Sequence, residues 1–345
     1  MKEDKNSIVL EFIRNNPKCS SMDIFEKANS AAGLATIKRI LQKNIGLNYI
    51  AVVGKGKNTR YSISSHFLLL YPIDIDDYFK KEIDERNSNT DFNYQVFEFF
   101  KNARVLEKEE LDRLQSLQDT FTKNTEDLTA IEYQSELERL AIDLSWKSSQ
   151  IEGNTYSLLE TERLLKDKET ASGKTREEAL MLLNHKEAID FITANPDYLE
   201  TLTVAKLESI HSLLIKDLGV DKNIRKRRVG ITGTNYRPID NEFQIREALE
   251  LMCGIINIET NVFIKSLYAL VLLSYIQAFN DGNKRTARIV SNAILINKKY
   301  CPISYRTVDT LEYKKAMLIF YEQNNIHPLK TIFIDQFDFA VHHYF

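Results

Sequence analysis

The sequence predicts a mainly helical protein: a long helical body carrying one hairpin, preceded by a small mixed α/β module. Three observations lead there. From Phe92 onward almost every segment places apolar residues at helical spacing. One stretch alone in that body, KRRVGITGTNYRPI at Lys226–Ile239, has the Val, Ile, Gly and Thr content of a paired β element around a Gly-rich turn. The basic charge is local, with six Lys or Arg and no Asp or Glu between Gly33 and Tyr61.

A chain of 345 residues is longer than the roughly 250–300 at which single cores stop growing, so more than one domain is expected. The net charge of −3 gives no whole-chain attraction for nucleic acid or membrane, and any such partner must be argued locally. Cys19, Cys253 and Cys301 are far apart, match no metal-ligand spacing and cannot all pair with one another, which points to a reducing compartment. The opening MKEDKNSIVLEF has no apolar run of signal-peptide length. The longest apolar run, Leu267–Leu273, is far below the roughly 20 residues of a membrane helix. A cytoplasmic protein without a membrane partner is the expectation.

In the N-terminal module, Ile8, Val9, Phe12 and Ile13 predict a helix over Asn6–Arg14, stopped at Asn15-Asn16-Pro17. Ser20 or Ser21 can cap a second helix through Glu26. Ala31–Lys43 reads as a third, with Leu34, Ile37, Ile40 and Leu41 on one face and Lys38 and Arg39 turned away from it. YIAVVGKGKNTRYSI then gives two β-rich runs around a Gly-Lys-Gly-Lys-Asn turn, a hairpin signal. Three helices and a basic hairpin resemble a winged helix-turn-helix domain. Such a domain would set its third helix in a major groove and bring Lys55, Lys57 and Arg60 near phosphates, making double-stranded DNA a candidate partner. The same fold also serves as a protein-interaction module, with its lysines simply solvated. The module is taken as residues 1–75, with a connection over 76–91, where Pro, Asp, Asn and Ser gather, and a helical domain over 92–345.

Helices are expected in that domain over Phe92–Asn102, Leu106–Leu117, Asp127–Ser148, Ser157–Leu165, Thr175–Ala194, Val204–Leu214, Asn241–Ile258, Phe263–Phe279, Lys284–Ile296 and Thr310–Asn324. The segment FIKSLYALVLLSYIQAF is apolar nearly all round and therefore central. Directly after it, Asp281-Gly282-Asn283 links to the next helix. Gly282 permits a tight turn, and the following helix N-terminus directs free N–H groups to the same place, a geometry suited to anions. Arg285 and Arg288 lie on one helical face, where both could clamp a polyphosphate, and Asp281 could hold a bridging divalent ion. The alternative is a helix corner capped by Asp281, its arginines in surface pairs.

QAFNDGNKRTAR, Gln277–Arg288, resembles the signature of the Fic (Fido) family, H-x-F-x-D/E-G-N-G/K-R-x-x-R. Phe279, Asp281, Gly282, Asn283, Arg285 and Arg288 stand in register. SSQIEGN resembles the family's inhibitory motif, S/T-x-x-x-E-G/N, through Ser148, Glu152 and Gly153, with Asn154 completing the segment 148–154. The Lys226–Ile239 hairpin sits where the family's substrate-docking flap would be, with Val229, Gly230, Ile231, Thr232 and Gly233 at its centre. The resemblance implies a Fic-like helical bundle and transfer of AMP from Mg2+-bound ATP to a protein hydroxyl. In that scheme Asp281 holds the metal; Gly282, Asn283, Lys284, Arg285 and Arg288 surround the phosphates; Glu152 reaches Arg288; and the flap docks a protein target. A second copy of the chain is a further candidate partner.

The resemblance departs at its first position. Where the family places the histidine that acts as general base, this chain has Gln277, whose amide does not titrate near neutrality. Among the histidines, His66 belongs with the N-terminal module, His185 and His211 lie inside expected helices, His327 precedes a proline in an expected loop, and His342 and His343 lie in the tail. None is placed as a replacement base. Three readings fit: a nucleotide-binding protein without catalysis, an altered or weak transferase, and a DNA-bound regulator whose helical body senses or interacts.

Overall fold

The computed structural model describes residues 4–28 and 30–345. The first three residues of the N-terminal module and its Asn29 lie outside the described residues. Two compact units are present. One runs to Pro72 and takes in Asn102–Val105; the other comprises Ile73–Lys101 and Leu106–Phe345.

The first unit has helices Lys5–Asn15, Ser21–Lys27 and Leu34–Gly46, a two-stranded antiparallel hairpin of Ile50–Val53 with Arg60–Ile63, and the short helix Ser65–Leu70. The second helix starts at a reciprocal cap: the Asp23 N–H donates to Ser20 Oγ, and the Asp23 carboxylate accepts from the Ser20 N–H. The third begins at Leu34 rather than Ala31, because Ala31 takes a positive φ and Gly33 is the N-cap. Val9, Ile13, Ile24, Ile37, Leu41 and Ile50 form the core. Gly54, at φ +86°, is required in the hairpin turn, since a Cβ there would stand 2.4 Å from the Asn58 carbonyl oxygen.

The second unit is a helical bundle. Its centre is Val262–Ile276, buried on every side from Ser266 onward, which packs against Asn283–Asn297, Glu242–Ile258, Thr310–Gln323 and His327–Tyr344. Ala130–Ile151, Arg176–Ala194 and Val204–Leu214 complete the surroundings of Asn283–Asn297. No helix among the described residues is long and apolar enough to cross a membrane. The mainly helical bundle and the small β-hairpin agree with the sequence expectation.

Four expectations need correction. Lys226–Ile239 forms no ladder of its own: its one bridge joins Arg237 to Asp91. A lone hairpin is marginal in water, and here the main chain is tied instead by Arg225, which donates to the Arg227 and Ile239 carbonyls. Residues 76–91 are no mere connection. They group with the second unit, contain the end of helix Ile75–Phe79, and hydrogen-bond to Glu322 and Gln323. The helix expected to reach Phe279 ends at Ile276, where Gln277 turns into the left-handed region. Finally, His327 opens a helix that continues to Tyr344, because a proline in a first turn loses no helical hydrogen bond.

Candidate functional site

Two buried helices, Val262–Ile276 and Asn283–Asn297, are joined by a sharp reversal. Gln277 at φ +51° stops the first helix. Asn283 then closes the loop with its amide: Oδ1 accepts from the Phe279 N–H at 2.8 Å, and Nδ2 donates to the Phe279 carbonyl at 2.7 Å. Gly282, at φ +80°, is the N-cap and supplies no side-chain cap, so the first-turn N–H groups face outward. A Cβ on Gly282 would press to 3.3 Å on Ile215 and 3.4 Å on His211. Behind the loop, the fully buried His211 ring stacks on Phe279 at 3.7 Å, and its Nε2 lies 2.9 Å from the Asp281 carbonyl oxygen. Burial lowers the His211 pKa, favouring the neutral ring with its proton on Nε2.

The reversal faces a cleft of about 460 Å³, lined among others by Glu152, Val229–Thr232, Gln277, Asp281, Arg285 and Tyr321. Of the sequence-expected residues, Glu152, Val229–Thr232, Gln277 and Asp281–Arg285 line this cleft, whereas Ser148, Gly153, Asn154, Gly233 and Arg288 do not. Arg285 is buried, and one Nη donates to the largely exposed Asp281 carboxylate at 2.8 Å. Its Nε and other Nη have no partner, so Asp281 answers only one edge of the guanidinium, and burial pulls its pKa down. Arginine remains charged under such conditions.

Arg288 is buried completely and is differently placed. Its Nε donates to Ser148 Oγ at 2.8 Å, and one Nη donates both to the Ser148 carbonyl and to Glu152 Oε1, each at 2.9 Å. Glu152 caps the Ala130–Ile151 helix at its C-terminal end and also receives Lys284 Nζ at 3.3 Å. Gly153 leaves the helix at φ +102°, and Asn154 anchors the exit through the Glu178 carbonyl. Ser148 is held in turn by His185, whose Nε2 lies 2.7 Å from its hydroxyl.

Gln277 is buried in the cleft wall. Its Nε2 donates to the Ser274 carbonyl at 2.7 Å and to the Tyr321 hydroxyl at 3.3 Å, which commits both N–H groups. Oε1 is left as the acceptor toward the cleft. The Gln277 carbonyl accepts from Arg225 Nε at 2.7 Å, which pins the left-handed residue. No histidine lines the cleft: His211 and His185 support it from behind, and His327, His342 and His343 lie on the C-terminal helix. Sequence reasoning missed Arg225 and Tyr321, and gave His211 and His185 no supporting role. Each acts across a separation of 37 to 70 residues, which local patterns do not register.

The Glu152 contacts have a pH signature. Burial would raise the carboxyl pKa, but the Arg288 and Lys284 charges outweigh it and hold it below the usual 4.5. A carboxyl depressed in the folded state binds fewer protons there than in the unfolded chain. Its stabilisation is complete above the unfolded value and is lost as pH falls through the lower, folded one. Thermal melts of Glu152→Gln should therefore show a smaller loss of Tm between pH 5 and pH 3 than the wild type, with a lower Tm at pH 7; the unfolded reference for this window is about 4.3. Parallel acid limbs would show that the ion pair contributes nothing.

Comparison with known proteins places the same region. Residues 201–295 match the Fic/DOC family profile. A protein adenylyltransferase Fic from Nematostella vectensis is 25% identical over 172 residues, 49% of this chain and 40% of that protein. One from Culex quinquefasciatus is 27% identical over 164 residues, 46% of this chain and 32% of that protein. The matched stretches thus span well under half of those relatives' own lengths. Among solved structures, Fic-1 from C. elegans superposes with a TM-score of 0.59 at 19% identity, covering 68% of this chain and 72% of that one. A Fic domain containing signaling protein from Bacteroides thetaiotaomicron gives 0.56 at 19% identity, covering 67% and 96%. At these identities the structural likeness speaks for the fold. The sequence matches connect residues 201–295 to the Fic/DOC family.

Proposed function

We propose that the cleft binds ATP with a divalent cation, and that it is adenylyltransferase-like in its phosphate-holding half but lacks a titrating base in its hydroxyl-holding half. Homology supports a Fic-family adenylyltransferase-like function. The observation that carries the nucleotide reading is the buried Arg285, with two unpartnered nitrogens beside an uncapped helix N-terminus. The donor set fits a phosphate chain. Asp281 is a single exposed carboxylate, and no group of three or more His, Cys, Asp or Glu among the described residues could hold a metal. That suits magnesium, which keeps waters and takes substrate phosphate oxygens.

In this reading the first-turn N–H groups and Arg285 hold phosphate oxygens, Asp281 holds the cation, and Lys284 and Arg288 serve the far phosphate once Glu152 withdraws. The metal ion would screen phosphate charge and orient it. Gln277 would accept a hydrogen bond from the incoming hydroxyl through Oε1 and orient it. It cannot take the proton, and a general base is typically worth about 10² to 10⁴ in rate. Ser148, Gly153 and Asn154 hold Glu152 in place, and Val229–Gly233 would offer main-chain groups to a protein segment.

Calorimetry with Mg-ATP should show binding that Arg285→Ala weakens, by about 1 to 3 kcal/mol for a lost charge-assisted partner of phosphate. Glu152→Gly should tighten it. No heat in either the wild type or Glu152→Gly would overturn the nucleotide reading.

One observation favours a second partner. Lys38, Arg39, Lys55, Lys57 and Arg60 are all exposed on the first unit, as a winged-helix DNA contact would require. Gel-shift titration of the full chain with duplex DNA should then show retardation that weakens steeply with salt and disappears when Lys55, Lys57 and Arg60 are all changed to Glu. No retarded species at low salt would leave the unit as a protein-interaction module.

A further inference from the structure

The segment before the bundle grips one limb of the flap. Arg86 is nearly buried, and one Nη donates to the Gly233 carbonyl at 3.0 Å while pairing with Glu322 Oε1 at 3.4 Å. Glu322 is buried too, and its other oxygen accepts from the Tyr78 hydroxyl at 2.6 Å. The Arg86 guanidinium lies 4.6 Å from the Phe79 ring centre. Further along, Asn235 Nδ2 donates to Asp84 at 2.9 Å, and the Arg237 N–H donates to the Thr90 carbonyl at 2.7 Å within the Asp91–Arg237 bridge. The segment is itself fastened to the bundle, since the Asn89 N–H donates to the Glu322 carbonyl at 2.8 Å.

We infer that residues 78–91 are a strap that positions the flap, with Arg86 as its central positioning residue. The strap occupies the limb from Gly233 to Arg237 with the chain's own polar groups. Among the described residues, Val229 and Gly230 make no main-chain hydrogen bond, Ile231 and Thr232 enter only the turn at Thr232–Gly233, and Val229–Thr232 line the cleft. The strap therefore decides which limb is open. An extended protein segment can add only along Val229–Thr232, beside the reversal that carries Gln277. The buried Glu322 gives the arrangement direction, because its carboxylate is 1% exposed and, among the described residues, Arg86 is the cation paired with it. This inference rests on the reading of the flap as a docking edge.

Hydrogen exchange on the full chain tests it. Arg86→Ala should speed exchange at the hydrogen-bonded amides of the strapped limb, Tyr236 and Arg237, by about tenfold or more while Val262–Ile276 keeps its protection, as expected for a local opening. Arg86→Lys should restore part of the protection. Because Arg86→Ala strips Glu322 of its cation, the pair Arg86→Ala with Glu322→Gln should be measured beside it, and the flap should still open while the central helix stays protected. Unchanged flap exchange in both variants, or an increase spread evenly over flap and central helix, overturns the strap. Mg-ATP affinity in the same samples should stay within about twofold, since Arg86 lies outside the phosphate subsite. Absence of ATP binding by the wild type would overturn the nucleotide reading, and the exchange data would still decide the strap.

Discussion

The site depends on the amide of Asn283. Its two hydrogen bonds to Phe279 close the reversal between two buried helices, and every other functional group takes its place from that turn. A buried amide with both ends satisfied costs nothing in unpaired polar groups, and it fixes a loop that would otherwise bring free main-chain groups into the core. His211 adds the second constraint, stacking on Phe279 and holding the Asp281 carbonyl. The N–H groups of the Asn283–Asn297 helix are thereby aimed at the cleft before any ligand arrives.

Two arginines three residues apart then experience different environments. Arg288 meets Ser148 and Glu152 through Nε and one Nη and has one buried nitrogen unanswered, whereas Arg285 meets Asp281 through one Nη and has two unanswered. Each arginine thus has one carboxylate of the chain's own, Glu152 for Arg288 and the largely exposed Asp281 for Arg285. Glu152 stands at the C-cap of its helix, and the ladder from His185 through Ser148 to Arg288 ends on its carboxylate. The Glu152–Arg288 pair therefore stands beside Gln277, whose amide does not titrate, and the proposed function has to accommodate both.

Much of this was legible in the sequence because the signals were local. Gly282, Asn283 and the arginine spacing fall within one short stretch, and the helices expected from Asp127 and Thr175 start in the structure at Ala130 and Arg176. What was missed lies in contacts between distant segments. Nothing around Arg225 announces that it will be buried, donating to Gln277, Arg227 and Ile239 carbonyls. The polar run at 76–91 read as a connection because its burial comes from Glu322 and Gly233, far along the chain. His327-Pro328 read as a loop because a proline in a helical first turn and a proline in a turn leave the same local signature.

The central claim is that the cleft positions a nucleotide and that the residue at 277 limits transfer. The most direct measurement is incorporation of labelled AMP into protein, compared between Glu152→Gly and Glu152→Gly combined with Gln277→His, with Mg-ATP binding verified for both. The account predicts little label from the first and a gain approaching the roughly 10² to 10⁴ of a general base from the second. Robust labelling by Glu152→Gly alone, or silence from the double variant despite bound ATP, would contradict it.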